Sequence, residues 1–227
     1  MTRGILIAGN DSALSRALEA EAAKRVERFA VALIPNRFAA APQRVSAAPE
    51  TPEEKARIPL DWNPGSSISA RTLVLSAENR LEHIDEAILI CSPPSIRRAA
   101  AGLPLSDVEI LINDHIKGWF FLVKEITSVF TNRKRGTLAL VYNEISPGGG
   151  REEAADLLGP SAAASFRALT GSLLAAAKNE PYLTMGFSGA EAGDEAGFAA
   201  FVLKTLDEGN SKSSGKLNKY GKFSFFR

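Results

Sequence analysis

The residues best suited to chemistry in this chain are one histidine, two serines and one cysteine. His115 is the candidate acid–base group, because an imidazole with a reference pKa of about 6.5 exchanges protons near neutral pH. It also fits a helix residue that is hydrogen-bonded in the core, and we favour that interpretation. Ser146 and Ser161 need a nearby base to act as nucleophiles, and no Ser/His/Asp motif is visible. Cys91 ends an apolar run and is interpreted as a small buried hydrophobe.

A second candidate site is the turn at residues 8–15, which follows the first apolar run and precedes a helical pattern. Backbone N–H groups at such a turn bind the pyrophosphate of a dinucleotide. Glycines normally line it, because a Cβ holds the phosphates away, and here only one glycine is present. The candidate cofactor contacts are Gly9, Asn10, Ser12 and Leu14. The alternative is an ordinary turn capped by Asp11 or Ser12, with Arg16 offsetting the charge of Asp11.

Apolar runs and helical periods alternate along the chain. Strands are expected at residues 4–8, 29–34, 87–91, 138–142, 182–187 and 219–225, with a short one ending at Leu60. Helices are expected directly after the first strand and at residues 66–80, 161–178 and 194–207. Ser106 is expected to cap a long helical region that reaches Asn132. Residues 38–57 are interpreted as a loose helix with a flexible loop, and 147–150 as a flexible turn.

This alternation predicts an α/β fold. We expect a three-layer, Rossmann-like, doubly wound parallel sheet of about seven strands, in a single domain spanning residues 1–227. Right-handed crossovers in such a sheet place any ligand beyond the carboxyl ends of the strands. The two candidate sites should therefore lie at that edge.

Composition excludes several classes of protein. The 27 Lys and Arg residues nearly balance the 26 Asp and Glu residues, which argues against a nucleic-acid or membrane partner. No apolar run approaches the ~20 residues of a membrane span, and charged residues interrupt any signal-peptide core. Two histidines and one cysteine predict no metal site. A single cysteine favours a reducing compartment, and we expect a cytoplasmic protein.

Several segments resemble the short-chain dehydrogenase/reductase family. Residues 8–15 are similar to its N-terminal Thr-Gly-x-x-x-Gly-x-Gly signature, with Gly9 at the first glycine. Residues 84–91 resemble the strand that precedes the family's Asn-Ala-Gly, although Asn-Ala-Gly itself is absent. Residues 115–121 resemble the family's Asn-Leu-x-Gly-x-Phe-Phe segment, and residues 136–141 resemble the strand that leads to the catalytic serine. These matches fall in the family's order along nearly the whole chain.

The resemblance implies a nicotinamide cofactor, NADP in particular. Asn36 and Arg37 follow the second strand, where family members that prefer NADP carry a basic residue for the 2′-phosphate. Asp61 is similar to the family aspartate that contacts the adenine ring, and Trp62 beside it is placed either to stack on adenine or to cover the core, which we favour. The alternatives are a solvated Arg37 and an Asp61 that braces the next turn.

Carbonyl reduction in this family needs a Tyr, a Lys four residues later, a Ser and an Asn. None of the three tyrosines has the lysine: Ser146, Gly186 and Ser224 stand four residues after Tyr142, Tyr182 and Tyr220. The start of the 161–178 helix, where the resemblance places the Tyr, offers only alanines, serines and a phenylalanine. His115 stands at the Asn position. Asn143, with Ser146 slightly beyond it, stands near the Ser position.

Three hypotheses remain open. The first, which we favour, is a non-catalytic relative that binds NADP weakly and works by binding, sensing or supporting a protein partner. The second is an active NADP-dependent oxidoreductase with a displaced proton donor, and the third is a structural subunit without nucleotide. In all three we expect a homodimer or homotetramer through the two long helices. The apolar residues Trp119, Phe120, Phe121 and Val123, and the smooth alanine-rich helix at 161–178, favour such an interface.

Overall fold

The computed structural model describes residues 3–26, 28–35, 37–38, 56–144, 156–189, 193–209 and 213–221. Most of the predicted flexible segment lies outside the described residues. So do the turn at 147–150 and the two site residues Asn36 and Ser146.

One parallel sheet organises the described residues. Its strands are β1 (Ile5–Asn10), β2 (Phe29–Ile34), β3 (Arg57–Pro59), β4 (Glu86–Cys91), β5 (Thr137–Asn143), β6 (Leu183–Gly189) and β7 (Lys216–Tyr220). Their order is β3-β2-β1-β4-β5-β6-β7, and every neighbouring pair is parallel. The winding reverses between β1 and β4, which is where doubly wound sheets bind ligands. The predicted seven-stranded, doubly wound α/β fold is confirmed.

Helices cover both faces of the sheet. They are α1 (Ala13–Ala23), α2 (Ser67–Leu81), α3 (Leu105–Ile112), α4 (Gly118–Arg133), α5 (Leu158–Ala176) and α6 (Glu195–Asp207). A five-residue π turn, Asn113–Lys117, joins α3 to α4, and short 3-10 turns occupy Ala100–Gly102 and Ala177–Asn179. Each described helix is too short or too polar to cross a membrane.

Two expected boundaries were wrong. Ser106 does not cap the long helical region, because α3 begins one residue earlier with Pro104 at the cap position, where φ is −63°. The proline ring fixes φ near this value and so directs the chain into the helix. Strand β7 begins three residues earlier than expected, at Lys216, which pairs with Met185 of β6. The described part of β7 ends at Tyr220, and residues 222–227 lie outside the described residues.

Successive side chains of each strand pack on opposite faces of the sheet. In β1, Leu6 and Ala8 join a core beneath α2, α4 and α5, whereas Ile5 and Ile7 join a second core beneath α1 and α6. The apolar residues of β1 and β4 are almost completely buried, as expected for central parallel strands that are covered on both faces. The two cores hold the strand ends in register, and with them the loops at the carboxyl edge.

A network of ion pairs holds the opposite, amino edge together. Arg3, just before β1, donates to Glu86 of β4 from Nε at 2.8 Å and from Nη2 at 2.7 Å, and it also pairs with Asp207 at the end of α6. Arg25, after α1, donates to the second carboxylate oxygen of Asp207 at 2.9 Å. Glu86 is only 7% exposed. Burial raises the pKa of Glu86, and Arg3 opposes this shift. The Glu86 carboxylate therefore depends on Arg3 for its charge compensation.

A cavity of about 740 Å³ opens beside this network, with Lys134, Arg135, Glu180 and Tyr182 in its wall. It lies at the amino ends of the strands, the edge opposite the one at which doubly wound sheets bind ligands.

We expect Arg3→Met to lower the free energy of unfolding by about 3 kcal/mol at neutral pH, because removing one partner leaves a buried carboxylate without compensation. Urea unfolding followed by circular dichroism measures this loss. Lowering the pH should reduce it, since protonation of Glu86 removes the uncompensated charge. Lys24→Met, which breaks the surface pair with Glu21, is the control and should cost less than about 1 kcal/mol. Equal losses in the two variants would contradict the role given to Arg3.

Candidate functional site

The candidate site lies at the carboxyl ends of β1, β4 and β5. Four segments border it: the turn before α1, the end of β2 with Arg37, the loop from β3 to α2, and the π turn before α4. This is the edge at which the sequence placed both candidate sites.

Gly9 is a glycine because two strands approach each other closely. A Cβ on Gly9 would lie 2.5 Å from the carbonyl oxygen of Ile90 and 2.8 Å from the Cβ of Ile90, in neighbouring β4. Leu14, another expected cofactor contact, buries its side chain in the core beneath α1. The packing of the sheet therefore accounts for both residue types without a nucleotide.

Backbone N–H groups in the turn before α1 donate hydrogen bonds to other groups of the protein. Ser12 caps α1: its Oγ accepts from the N–H of Ser15 at 3.1 Å, and the Oγ of Ser15 accepts from the N–H of Ser12 at 2.9 Å. The N–H of Asp11 donates to the carbonyl of Ile34 at 3.0 Å. In the family that the chain resembles, a glycine stands at the position of Ser15. The hydroxyl at this position occupies a backbone donor that an anion at the helix N-terminus would use.

The charged side chains at this turn form an ion pair with each other. Arg16 donates to Asp11 at 2.7 Å, and both side chains are largely exposed. Arg16 thus offsets Asp11, in agreement with the sequence interpretation.

Asn10 joins three elements at the centre of the site. Its Oδ1 accepts from the backbone N–H of Ser92, just after β4, at 2.9 Å. Its Nδ2 lies 3.0 Å from Nδ1 of His115, on the π turn. Asn10 and His115 are each only 4% exposed. The structure thus brings together an expected cofactor contact and the expected acid–base group, which lie 105 residues apart in the sequence.

His115 is held in its neutral form. Burial lowers the pKa of His115 from 6.5 to about 4, and the nearby positive charge of Arg37 lowers it further in the same direction. With this pKa, almost none of the ring is imidazolium at neutral pH, so His115 is a poor general acid. The interpretation of His115 as a buried, hydrogen-bonded helix residue agrees with this geometry.

Arg37 is engaged by an aspartate that the sequence did not single out. Its Nε lies 3.3 Å from Oδ2 of Asp114, the neighbour of His115, and the carboxyl side chain is only 3% exposed. Burial raises the pKa of Asp114, and Arg37 opposes the shift. The guanidinium is about half exposed, so it faces solvent at the site while it compensates a buried carboxylate.

Trp62 packs into the aromatic core. Its ring lies 5.6 Å from that of Trp119, which in turn contacts Phe166 at 5.1 Å. The indole Nε1 atoms of Trp62 and Trp119 are buried and have no hydrogen-bond partner among the described residues. Asp61 beside them is exposed. The next turn is braced instead by Asn63, whose N–H donates to Ser69 and whose Oδ1 accepts from Gly65.

The expected serine and tyrosine positions carry other contacts. Asn143 ends β5, and its Oδ1 is buried without a partner among the described residues. Ser161 is exposed, and its Oγ donates to the carbonyl of Leu157 at 2.7 Å. Helix α5 starts three residues before the predicted boundary, because Asp156 accepts from the N–H groups of Leu158 and Gly159.

All three tyrosines are unsuited to donating a proton at neutral pH. Burial raises the pKa of Tyr142, inside β5, and of Tyr182, at the amino edge of the sheet. The hydrogen bond to Asp194 raises the pKa of Tyr220, whose hydroxyl lies 2.5 Å from that carboxylate. A carbonyl reductase of the resembled kind needs the opposite shift. Cys91 is buried, and burial also raises the pKa of its thiol.

In the described part of the chain, no three His, Cys, Asp or Glu side chains lie close enough together to hold a metal ion.

The helical residues expected at an interface between subunits differ in their exposure. Trp119 and Val123 are buried in the core, so they offer no interface, whereas Phe120 is 52% exposed.

The fold has many counterparts among solved structures. An NADH-dependent reductase A1-R′, complexed with NAD, superposes with a TM-score of 0.72 at 11% identity, over 96% of this chain and 95% of its own. Levodione reductase gives 0.71 at 12% over the same shares, and a short-chain dehydrogenase from Mycobacterium smegmatis gives 0.72 at 10% over 98% and 93%. Protein-family models give no match, and neither do curated protein sequences. The chain therefore has the fold of the short-chain dehydrogenases/reductases, which the sequence resemblance implied.

We expect the wild-type chain to lose stability as the pH falls from 6.5 to about 4, because the unfolded His115 takes up a proton that the folded ring does not bind. When the unfolded His115 is fully protonated, the free energy of unfolding is lower by about 3 kcal/mol. His115→Gln keeps a polar side chain that does not titrate, so its stability difference from wild type should change by this amount across the interval. Urea unfolding at a series of pH values measures it. Stability curves that run parallel for the two proteins would contradict the neutral, buried ring.

Proposed function

We propose that this chain is a binding protein built on the short-chain dehydrogenase/reductase fold, without that family's carbonyl-reducing chemistry. One observation carries the proposal: none of the three tyrosines has a lysine four residues later. The raised pKa of each tyrosine supports it. Hydride transfer to a carbonyl needs a proton for the oxygen, and a phenol with a raised pKa delivers it poorly. The neutral His115 does not replace that acid.

The ligand we propose is a nicotinamide dinucleotide, bound weakly, with NADP preferred over NAD. The NAD complex of a protein with the same fold supports the choice of ligand class. The half-exposed guanidinium of Arg37 beyond β2 supports the preference for the 2′-phosphate. The occupied N–H of Ser12 supports weak binding, because it removes a donor from the pyrophosphate position.

Association and location complete the proposal. We propose a homodimer or homotetramer in which α4 and α5 meet a second copy, supported by the exposed Phe120 and by small exposed residues along α5. Light scattering of the purified chain measures the mass. We also propose a reducing, cytoplasmic environment, supported by the single buried Cys91.

Titration of the full chain with NADPH and with NADH, followed by tryptophan fluorescence, tests the proposed function. Trp62 belongs to the loop from β3 to α2 that borders the site, and its ring packs against Trp119, so a ligand that moves this loop changes the fluorescence. We expect saturation with NADPH, weaker binding of NADH, and no oxidation of either when carbonyl compounds are added. Carbonyl turnover would favour the displaced proton donor, and absence of binding at millimolar nucleotide would favour a structural subunit.

Ser15→Gly should tighten NADPH binding by about tenfold, because it frees the N–H of Ser12 for a charge-assisted hydrogen bond to phosphate. Ser12→Ala is the control for loss of the cap: it costs about 1 kcal/mol of stability and frees the N–H of Ser15, but it leaves the N–H of Ser12 paired with Ser15. The same fluorescence titration compares the two variants. If Ser15→Gly binds NADPH no more tightly than the wild type does, the blocked N–H of Ser12 is not the cause of weak binding.

A further inference from the structure

The orientation of the Asn10 amide is fixed by its neighbour. The backbone N–H of Ser92 is a donor, so the amide atom that faces it at 2.9 Å must be the oxygen. Nδ2 is then the atom that faces His115, at 3.0 Å from Nδ1. The opposite orientation would set two donors against each other at Ser92.

The amide in turn fixes the tautomer of His115. An NH₂ group can only donate, so Nδ1 of the ring must accept with its lone pair. The proton of the neutral ring therefore resides on Nε2. Protonation of Nδ1 as well would break this hydrogen bond, and the positive charge of Arg37 also disfavours it.

Nε2 is the ring nitrogen that the hydrogen bond to Asn10 leaves available as a donor. Nε2 makes no hydrogen bond to a described residue. Because His115 is only 4% exposed, this N–H is a buried donor that an oxygen acceptor of a ligand would satisfy.

We propose that Asn10 is a positioning residue that holds His115 as a neutral imidazole with its proton on Nε2, and that this N–H recognises an oxygen acceptor of the ligand. The acceptor class is a carbonyl, carboxamide or carboxylate oxygen. The charged pair Arg37–Asp114 lies next to the ring, and Arg37 is the charged group that acts on it among the described residues. The recognition role rests on the binding function proposed above, whereas the tautomer does not.

The tautomer is tested by ¹⁵N NMR of the histidine rings in the full chain. The chain has two histidines, so the spectrum of His115→Gln assigns the signals. We expect a protonated Nε2 and an unprotonated Nδ1 in His115 throughout the range from mildly alkaline to mildly acidic pH. A proton on Nδ1, or an imidazolium at neutral pH, would overturn the proposal. Because this experiment uses the wild-type protein and no nucleotide, it separates this inference from the proposed dinucleotide site.

Asn10→Asp tests the positioning role. The carboxylate accepts where the amide donated, so we expect the ring proton to move to Nδ1 and the pKa of His115 to rise. Asn113→Asp is the matched control, because it places the same charge on the π turn but not in contact with Nδ1. Its His115 spectrum should keep the wild-type tautomer. Should Asn10→Asp fail to fold, the wild-type spectrum still decides the tautomer.

The recognition role is tested with small probes in the same spectra. Acetate and acetamide each present an oxygen acceptor, so at high millimolar concentration both should shift the Nε2 signal of His115. Methylammonium has no acceptor and should leave the signal unchanged. Equal shifts with all three probes, or no shift with acetate and acetamide, would overturn the recognition role even if NADPH binds elsewhere on the protein.

Discussion

The hydrogen bond between Asn10 and His115 couples the elements that meet at the carboxyl edge of the sheet. Asn10 is the last residue of β1, and through Ser92 its amide also holds the chain that leaves β4. The hydrogen bond from Ser92 to Asn10 forms because β1 and β4 lie side by side, and Gly9 allows their close approach. On the other side, the π turn brings His115 to the sheet. The arrangement of the site follows from this contact, whereas the neutrality of its imidazole follows from burial and from the nearby charge of Arg37.

Proton transfer at the carboxyl edge is limited by the protonation states of its histidine and tyrosine side chains. The ring of His115 has its lone pair directed at an amide and its pKa near 4. Tyr142 is buried, Tyr182 lies at the opposite, amino edge, and Tyr220 donates to Asp194. At the turn before α1, serine hydroxyls occupy N–H groups that phosphate would otherwise use. The fold is that of the short-chain dehydrogenases/reductases, and the polar groups at this edge are largely paired with one another. That balance favours binding over proton transfer.

Much of the fold could be predicted from the sequence, because its strands are short, continuous apolar runs. Residues 29–34, for example, lie where the pattern indicated, and the cap at Ser12 was one of two expected candidates. The π turn could not be predicted, since the five residues of Asn113–Lys117 are all compatible with an uninterrupted helix. The predicted start of α3 was wrong because serine is the more usual capping residue, whereas Pro104 occupies the cap position in the structure.

The candidate site could be predicted only in part. The residue types at positions 10, 37 and 115 pointed to this edge, but their partners are distant in sequence. Nothing local links Arg37 to Asp114, or Asp156 to the N–H of Ile96, 60 residues away. The Ser12–Ser15 cap, in contrast, is indicated by the sequence. Two serines three residues apart can each accept a hydrogen bond from the other's backbone N–H. Contacts between distant segments need the folded chain.

Hydride transfer itself is the most direct test of whether the proton-delivering machinery is absent. Incubation of the full chain with NADPH deuterated at the transferable position and a panel of aldehydes and ketones, followed by mass spectrometry of the products, measures it. The account predicts that no alcohol gains deuterium above the level without protein. Deuterated alcohol that disappears when any one of Tyr142, Tyr182 or Tyr220 is changed to phenylalanine would contradict it.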